Sequence, residues 1–135
     1  CEPSRIAGLD ISSVAIELAR GRIPEGLFVT GSIYDPLKRC YDVIFCTEVL
    51  EHLENPDDAL CNIINHISLG GSAILTTPDG RIDYSRSHIN FWSPESWNFF
   101  VRRHAGNFDV TCGQFRVRET SPYENNYAII HRPTS

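Results

Sequence analysis

The chain has 135 residues, 41% hydrophobic and 21% charged, with a formal net charge of -5. Those values describe one soluble globular domain, 1–135, and exclude disordered and low-complexity classes. Twelve scattered Lys and Arg argue against a nucleic-acid footprint, no run nears the roughly 18 apolar residues of a membrane span, and the opening CEPSRIAGLD lacks the features of a secretory signal.

RIAGLDI (5–11) is a short apolar run, and SSVAIELARGR places Val14, Ala15, Ile16, Leu18 and Ala19 at helical spacing after it. Ser12 or Ser13 can cap that helix and Gly21 can end it. GLFVTG (26–31) and YDVIFCT (41–47) are the next runs, the latter so continuously apolar that it predicts a strand covered on both faces. In ENPDDALCNIINHISLGG, Pro56 suits a first turn, and Asp57 and Asp58 complement the helix dipole. Leu60, Ile63, Ile64 and Ile67 form its core stripe, which Gly70-Gly71 stops.

SAILTTP (72–78) predicts another buried strand, followed by the polar loop DGRIDYSRSHINFW. A helix then starts at cap Ser93, with Pro94 and Glu95 in its first turn, Trp97, Phe100 and Val101 inward and Gly106 as its stop. FDVTCGQFRV and NNYAIIHR predict two closing strands joined by a loop containing Pro122. This alternation is an open α/β sheet, whose ligands sit beyond the carboxyl ends of the strands. Attention therefore falls on Asp10, residues 31–33, Thr47 to His52 and Thr77 to Asp79.

Asp10 closes the first strand, where a carboxylate can accept hydrogen bonds from both hydroxyls of a ribose, or can cap the following helix. Ile11 could lie against an adenine face, with Ser32 and Ile33 at its edge, although turn chemistry explains Ser32 and Ile33 equally well. Glu48, Glu51 and His52 stand at i, i+3 and i+4, so they share a face if helix begins at once. Two carboxylates and an imidazole are plausible ligands of a divalent ion.

Taken together, GLDIS, YDVIFCTEVLEHL, SLGGSAILTTP and HINFWSPESWNFFVRRHAGNFDV resemble the class I S-adenosylmethionine-dependent methyltransferases, especially the small-molecule subgroup with an EVLEH element after the fourth strand. The resemblance covers nearly all of residues 6–131. It implies a Rossmann-like α/β sheet with helices on both faces and a C-terminal antiparallel strand pair. Asp10 matches the acidic residue that holds the cofactor ribose, and Ile11 and Ile33 match positions flanking adenine. Ser32 stands where the family often has an aspartate, and Thr47 and Glu48 match the strand-four exit beneath the methionine part of the cofactor. LGG replaces the common PGG.

The family's glycine-rich loop should precede Asp10 by about a score of residues, and neither Gly8 nor Gly70-Gly71 can stand in for it. The first strand and helix are thus expected to be missing, and that strand is central in the family sheet, between 6–11 and 41–47. With no Met and an opening Cys1, the expectation is an omitted N-terminal segment of roughly 30 residues, one βαβ unit's worth. The other outcome is a homo-oligomer formed through an exposed sheet edge.

Family strand order places His88 near His52, which makes Glu48, Glu51, His52 and His88 a candidate metal set that fails if the histidines lie beyond about 8 Å. Such a set resembles those of metal-dependent RNA ribose 2'-O-methyltransferases and some quinone-precursor O-methyltransferases. The competing account makes Glu51 and His52 supports of the loop. Without metal, His52 or His88 is the candidate catalytic base; His66, His104 and His131 receive no role.

The resulting expectation is a cytoplasmic enzyme that moves a methyl group from S-adenosylmethionine to an oxygen or nitrogen of a small molecule, with a divalent metal as a second candidate cofactor. A non-catalytic scaffold of the same fold, an RNA 2'-O-methyltransferase and a nicotinamide dehydrogenase are the rivals. Five cysteines without a CxxC pair fit reduced, mostly buried thiols.

Overall fold

A computed structural model describes residues 2, 5–118 and 123–134, and the chain divides into two compact units, Cys1–Pro36 and Leu37–Ser135. Cys1 and the Pro122 loop lie outside the described residues.

The first unit is a single βαβ turn. Strand β1 (Ala7–Asp10) runs parallel to β2 (Leu27–Thr30), with Ala7 opposite Leu27 and Asp10 opposite Thr30. Helix α1 (Ser13–Arg22) joins them. Of the two candidate caps, Ser12 serves: its Oγ accepts from the Ala15 N–H at 3.2 Å. The helix runs one residue past Gly21, so that glycine is not its stop. Ile16 and Phe28 are buried, whereas Val14 and Leu18, also at helical spacing, are exposed. Gly8 belongs to this packing, because a Cβ there would sit 2.7 Å from the Phe28 ring.

The second unit holds a four-stranded sheet in the order β3–β4–β6–β5. Strand β3 (Tyr41–Thr47) is parallel to β4 (Ile67–Pro78), while β6 (Asn125–His131) lies antiparallel to both β4 and β5 (Asp109–Phe115). The expected terminal antiparallel pair is present.

Helix α2 spans Pro56–Asn65, and Ile67, expected on its core stripe, instead begins β4. Gly70-Gly71 therefore lies inside a strand. The reason is a register irregularity between Tyr41 and Val43 of β3, around which β4 must bend. Gly70 takes φ +73°, and a Cβ on Gly71 would lie 2.8 Å from the Asp42 carbonyl oxygen and 2.9 Å from that of Ser68. Those neighbours are backbone and cannot swing aside. Gly71→Ala is expected to lower the stability of the protein by about 1–3 kcal/mol, as overpacking does; an unchanged urea midpoint would show that the bulge relaxes freely.

Helix α3 (Pro94–Ala105) is capped by Ser93, whose Oγ accepts from the Ser96 N–H at 3.2 Å, and it buries Trp97, Phe100, Val101 and Ala105. It packs on β5 and β6, and α2 packs on β4. Under the helices lie Cys46, Ala73, Leu75, Thr77, Ala128 and Ile130, alternate residues of their strands and all buried. On the opposite face Val43 is 52% and Phe45 70% exposed. The expectation that β3 is covered on both faces thus holds for one face only among the described residues.

Cys40, Cys46, Cys61 and Cys112 are free thiols, as expected. Only Cys46 is buried, so the mostly buried set reduces to one, whose pKa burial pushes up to about 12 with help from the Glu51 charge. No helix among the described residues is long and apolar enough to cross a membrane.

Candidate active site

Strand β3 ends at Thr47, and no helix begins there. Glu48 adopts φ +56°, the left-handed region that a non-glycine residue rarely enters. Thr76 of the neighbouring strand holds it there from two sides: the Glu48 N–H donates to the Thr76 carbonyl at 3.0 Å, and the Thr76 hydroxyl donates to Glu48 Oε1 at 2.8 Å. A single 3-10 turn, Leu50–His52, follows. Glu48 therefore shares no helical face with Glu51 and His52 and stands outside the group that converges, which corrects its expected place among the metal ligands.

Glu51, His52 and His88 do converge. Their ligand atoms all lie within 4.8 Å of one another, and the two imidazole rings meet edge to face with centroids 4.5 Å apart. The distance condition set for His88 is met with margin. The loop after β4 brings it there by folding back on the 3-10 turn. The Ile89 and Asn90 N–H groups donate to the Glu51 carbonyl at 2.8 and 3.1 Å, and Asn90 Nδ2 donates to the carbonyls of Leu50 and Leu53.

The ring nitrogens are divided by their neighbours. His52 Nδ1 faces the Ser87 carbonyl at 3.0 Å, and His88 Nδ1 faces Asp83 Oδ2 at 2.5 Å. A carbonyl or a carboxylate only accepts, so each Nδ1 carries the proton, and in the neutral ring that tautomer leaves the lone pair on Nε2. Glu51 is 0% exposed, and neither of its carboxylate oxygens has a hydrogen-bond partner. Burial raises its pKa; the polarity of its own backbone N–H and the nearby His52 and His88 oppose that rise, while Glu48 adds to it. An orphaned buried carboxylate is costly, and a cation between it and two imidazole lone pairs would remove the cost. Two imidazoles and one carboxylate form the donor set of catalytic zinc sites that keep a position open.

In the first unit, Asp10 is exposed at the β1 exit, and its Oδ1 accepts from the Ser12 N–H at 2.7 Å. It thus braces the start of α1 while Ser12 does the capping. Ile11 is 82% exposed. Ser32 takes part in a turn, its N–H donating to Asp35 Oδ2 at 3.1 Å and its Oγ accepting from the Tyr34 N–H at 3.2 Å. Ile33, beside it, is half-buried. At the β4 exit, the buried Asp79 is already engaged by Arg81 and by Gln114 Nε2, and the Arg81 hydrogen bonds hold its carboxyl below the usual range.

Sequence reasoning missed Thr76, Asp83, Ser87 and Asn90. Only Asp83 had a readable signal, an acidic residue five positions before a histidine in one polar loop.

Comparison with known proteins supplies the family. A family model described as "Methyltransferase domain" matches residues 2–110. The chain belongs to that methyltransferase domain family. A ubiquinone biosynthesis O-methyltransferase of Rickettsia felis is 44% identical over 39 residues, covering 29% of this chain and 16% of that protein. The mitochondrial ubiquinone biosynthesis O-methyltransferase of Schizosaccharomyces pombe is 31% identical over 83 residues, covering 53% of this chain and 29% of that protein. The matched region thus spans under a third of either curated relative. The crystal structure of the N-methyltransferase NodS from Bradyrhizobium japonicum, solved with S-adenosyl-L-homocysteine, superimposes with a TM-score of 0.74 at 16% identity. That alignment covers 94% of this chain and 66% of NodS, and it shows that this methyltransferase domain shares the Rossmann-like fold.

Proposed function

We propose that the protein transfers a methyl group from S-adenosylmethionine to an oxygen or nitrogen of a small molecule, with Glu51, His52 and His88 holding a divalent cation beside the acceptor. The observation that carries this reading is the convergence of those three side chains, with Glu51 buried and unpartnered, just past the carboxyl end of β3 in a methyltransferase domain. The cytoplasm is its proposed location, supported by the free thiols.

Bound S-adenosylmethionine supplies a methyl group already activated on a sulfonium, so the chain's own task is largely one of holding and aligning. In the first unit, Asp10 keeps an exposed carboxylate at a strand exit and can accept from ribose hydroxyls, and the bare Ile11 side chain offers apolar surface to adenine, with Ser32 and Ile33 on the adjacent turn. In the second unit, Thr47 and Glu48 stand where the family resemblance puts the methionine end. A divalent cation held by Glu51, His52 and His88 would lower the pKa of the acceptor hydroxyl. Without the cation, the Nε2 lone pair of His52 or His88 can instead receive the acceptor's proton. A net charge of -5 disfavours a polyanionic acceptor.

Calorimetric titration of the protein with S-adenosylhomocysteine tests the reading. Binding is expected, and Asp10→Ala is expected to weaken it about 10–100-fold, the value of hydrogen bonds to a charged acceptor. Absence of heat with the wild type would instead support a scaffold that no longer catalyses.

A further inference from the structure

Each histidine of the cluster can offer Nε2 because an acceptor faces its Nδ1–H, and both acceptors, Asp83 and the Ser87 carbonyl, come from the loop that carries His88. We propose that Asp83 is a positioning residue, which fixes the His88 ring in the tautomer that leaves Nε2 available as a ligand. The inference rests on the metal reading above and extends it to a residue outside the ligand set.

The two oxygens of Asp83 are divided between two tasks. Oδ1 accepts from the Ser85 N–H at 3.0 Å, and Oδ2 meets His88 Nδ1 at 2.5 Å. Both side chains are largely buried, 8% exposed for Asp83 and 14% for His88. The Ser85 carbonyl accepts in turn from the His88 N–H at 3.3 Å, so ring and carboxylate are tied to one short turn. A carboxylate on the far nitrogen of a ligating histidine sets ring orientation and raises ligand basicity, and its loss costs roughly 10–100-fold in metal affinity.

This division of tasks makes one substitution decisive. In Asp83→Asn the Ser85 N–H still requires an acceptor, so the amide oxygen stays at Oδ1 and the NH2 group faces His88 Nδ1. An N–H facing Nδ1 selects the imidazole with its proton on Nε2, the wrong tautomer for a ligand, as in the asparagine variant of a catalytic Asp-His pair. His52 is the internal control, because its acceptor is the Ser87 backbone and is untouched.

The experiment combines nitrogen-15 NMR of the imidazoles in the metal-free full chain with calorimetric titration of cobalt(II). Wild-type His88 is expected to carry its proton on Nδ1; Asp83→Asn is expected to move it to Nε2, leave His52 unchanged, and weaken cobalt binding roughly 10–100-fold. Asp83→Ala, which removes both hydrogen bonds, is expected to give mixed His88 tautomers and also weakened cobalt binding, and it carries the test if the asparagine variant does not fold. An unchanged His88 tautomer in these variants overturns the inference, as does a shifted tautomer with unchanged cobalt affinity. If the wild type binds no cobalt, the metal reading fails, and the NMR result alone decides whether Asp83 sets the ring.

Discussion

Glu51→Gln is expected to weaken cobalt(II) binding by more than the roughly 10–100-fold that loss of an outer-shell partner costs, while leaving the metal-free protein at least as stable as wild type near neutral pH. The two effects have one cause. Both Glu51 oxygens are buried without a hydrogen-bond partner, so the charge that a cation needs is a burden in its absence. The pH dependence follows from the raised pKa of this carboxyl. From its ordinary value of 4.5 up to the raised native value, the native state keeps a proton that the unfolded chain has released. Stability therefore falls as pH rises through that window and stays lower above it. Glutamine cannot titrate, so the variant should lack this component, and saturating cobalt should remove it from the wild type. Urea denaturation of both proteins at several pH values, with and without cobalt, reads the difference. Identical pH profiles of variant and wild type would mean that folding leaves the Glu51 pKa unshifted.

Trp97→Ala is expected to destabilise the protein by about 3–5 kcal/mol, the range for truncating a large buried aromatic. Trp97 is fully buried on α3, with its ring 5.5 Å from Trp92 and 6.0 Å from Phe100 between centroids. The Trp92 contact fastens α3 to the end of the loop that carries His88. Trp97→Phe should cost much less, because it keeps most of the apolar area and removes an indole N–H that has no hydrogen-bond partner. Urea midpoints of the two variants would reverse this order only if the Nε1 group were satisfied by something that the phenylalanine variant loses.

Local patterns made most of the elements legible. The caps at Ser12 and Ser93, the Pro56 and Pro94 starts and the alternation of short apolar runs specify helices and strands through side-chain chemistry acting within a few residues. The same locality explains the errors. Ile67 and Gly70-Gly71 look like the end of a helix until the irregular pairing with β3 claims them for a strand. The run of 41–47 looks buried on both faces because hydrophobicity reports what a strand can bury, not what covers it.

For the site, the sequence marked Glu48, Glu51, His52 and, through the family strand order, His88 as candidates, with loop support as the competing account of Glu51 and His52, and it marked Asp10 at a strand exit. Only the tertiary structure separated Glu48 from the cluster, because that required knowing that Thr76 lies opposite in the next strand and holds the backbone left-handed. Only the tertiary structure also brought His88 to His52 and supplied Asp83 and Ser87 behind the rings, 35 residues along the chain in the case of Ser87. Which nitrogen carries a proton depends on the atom facing it, and a linear pattern contains no information about facing atoms.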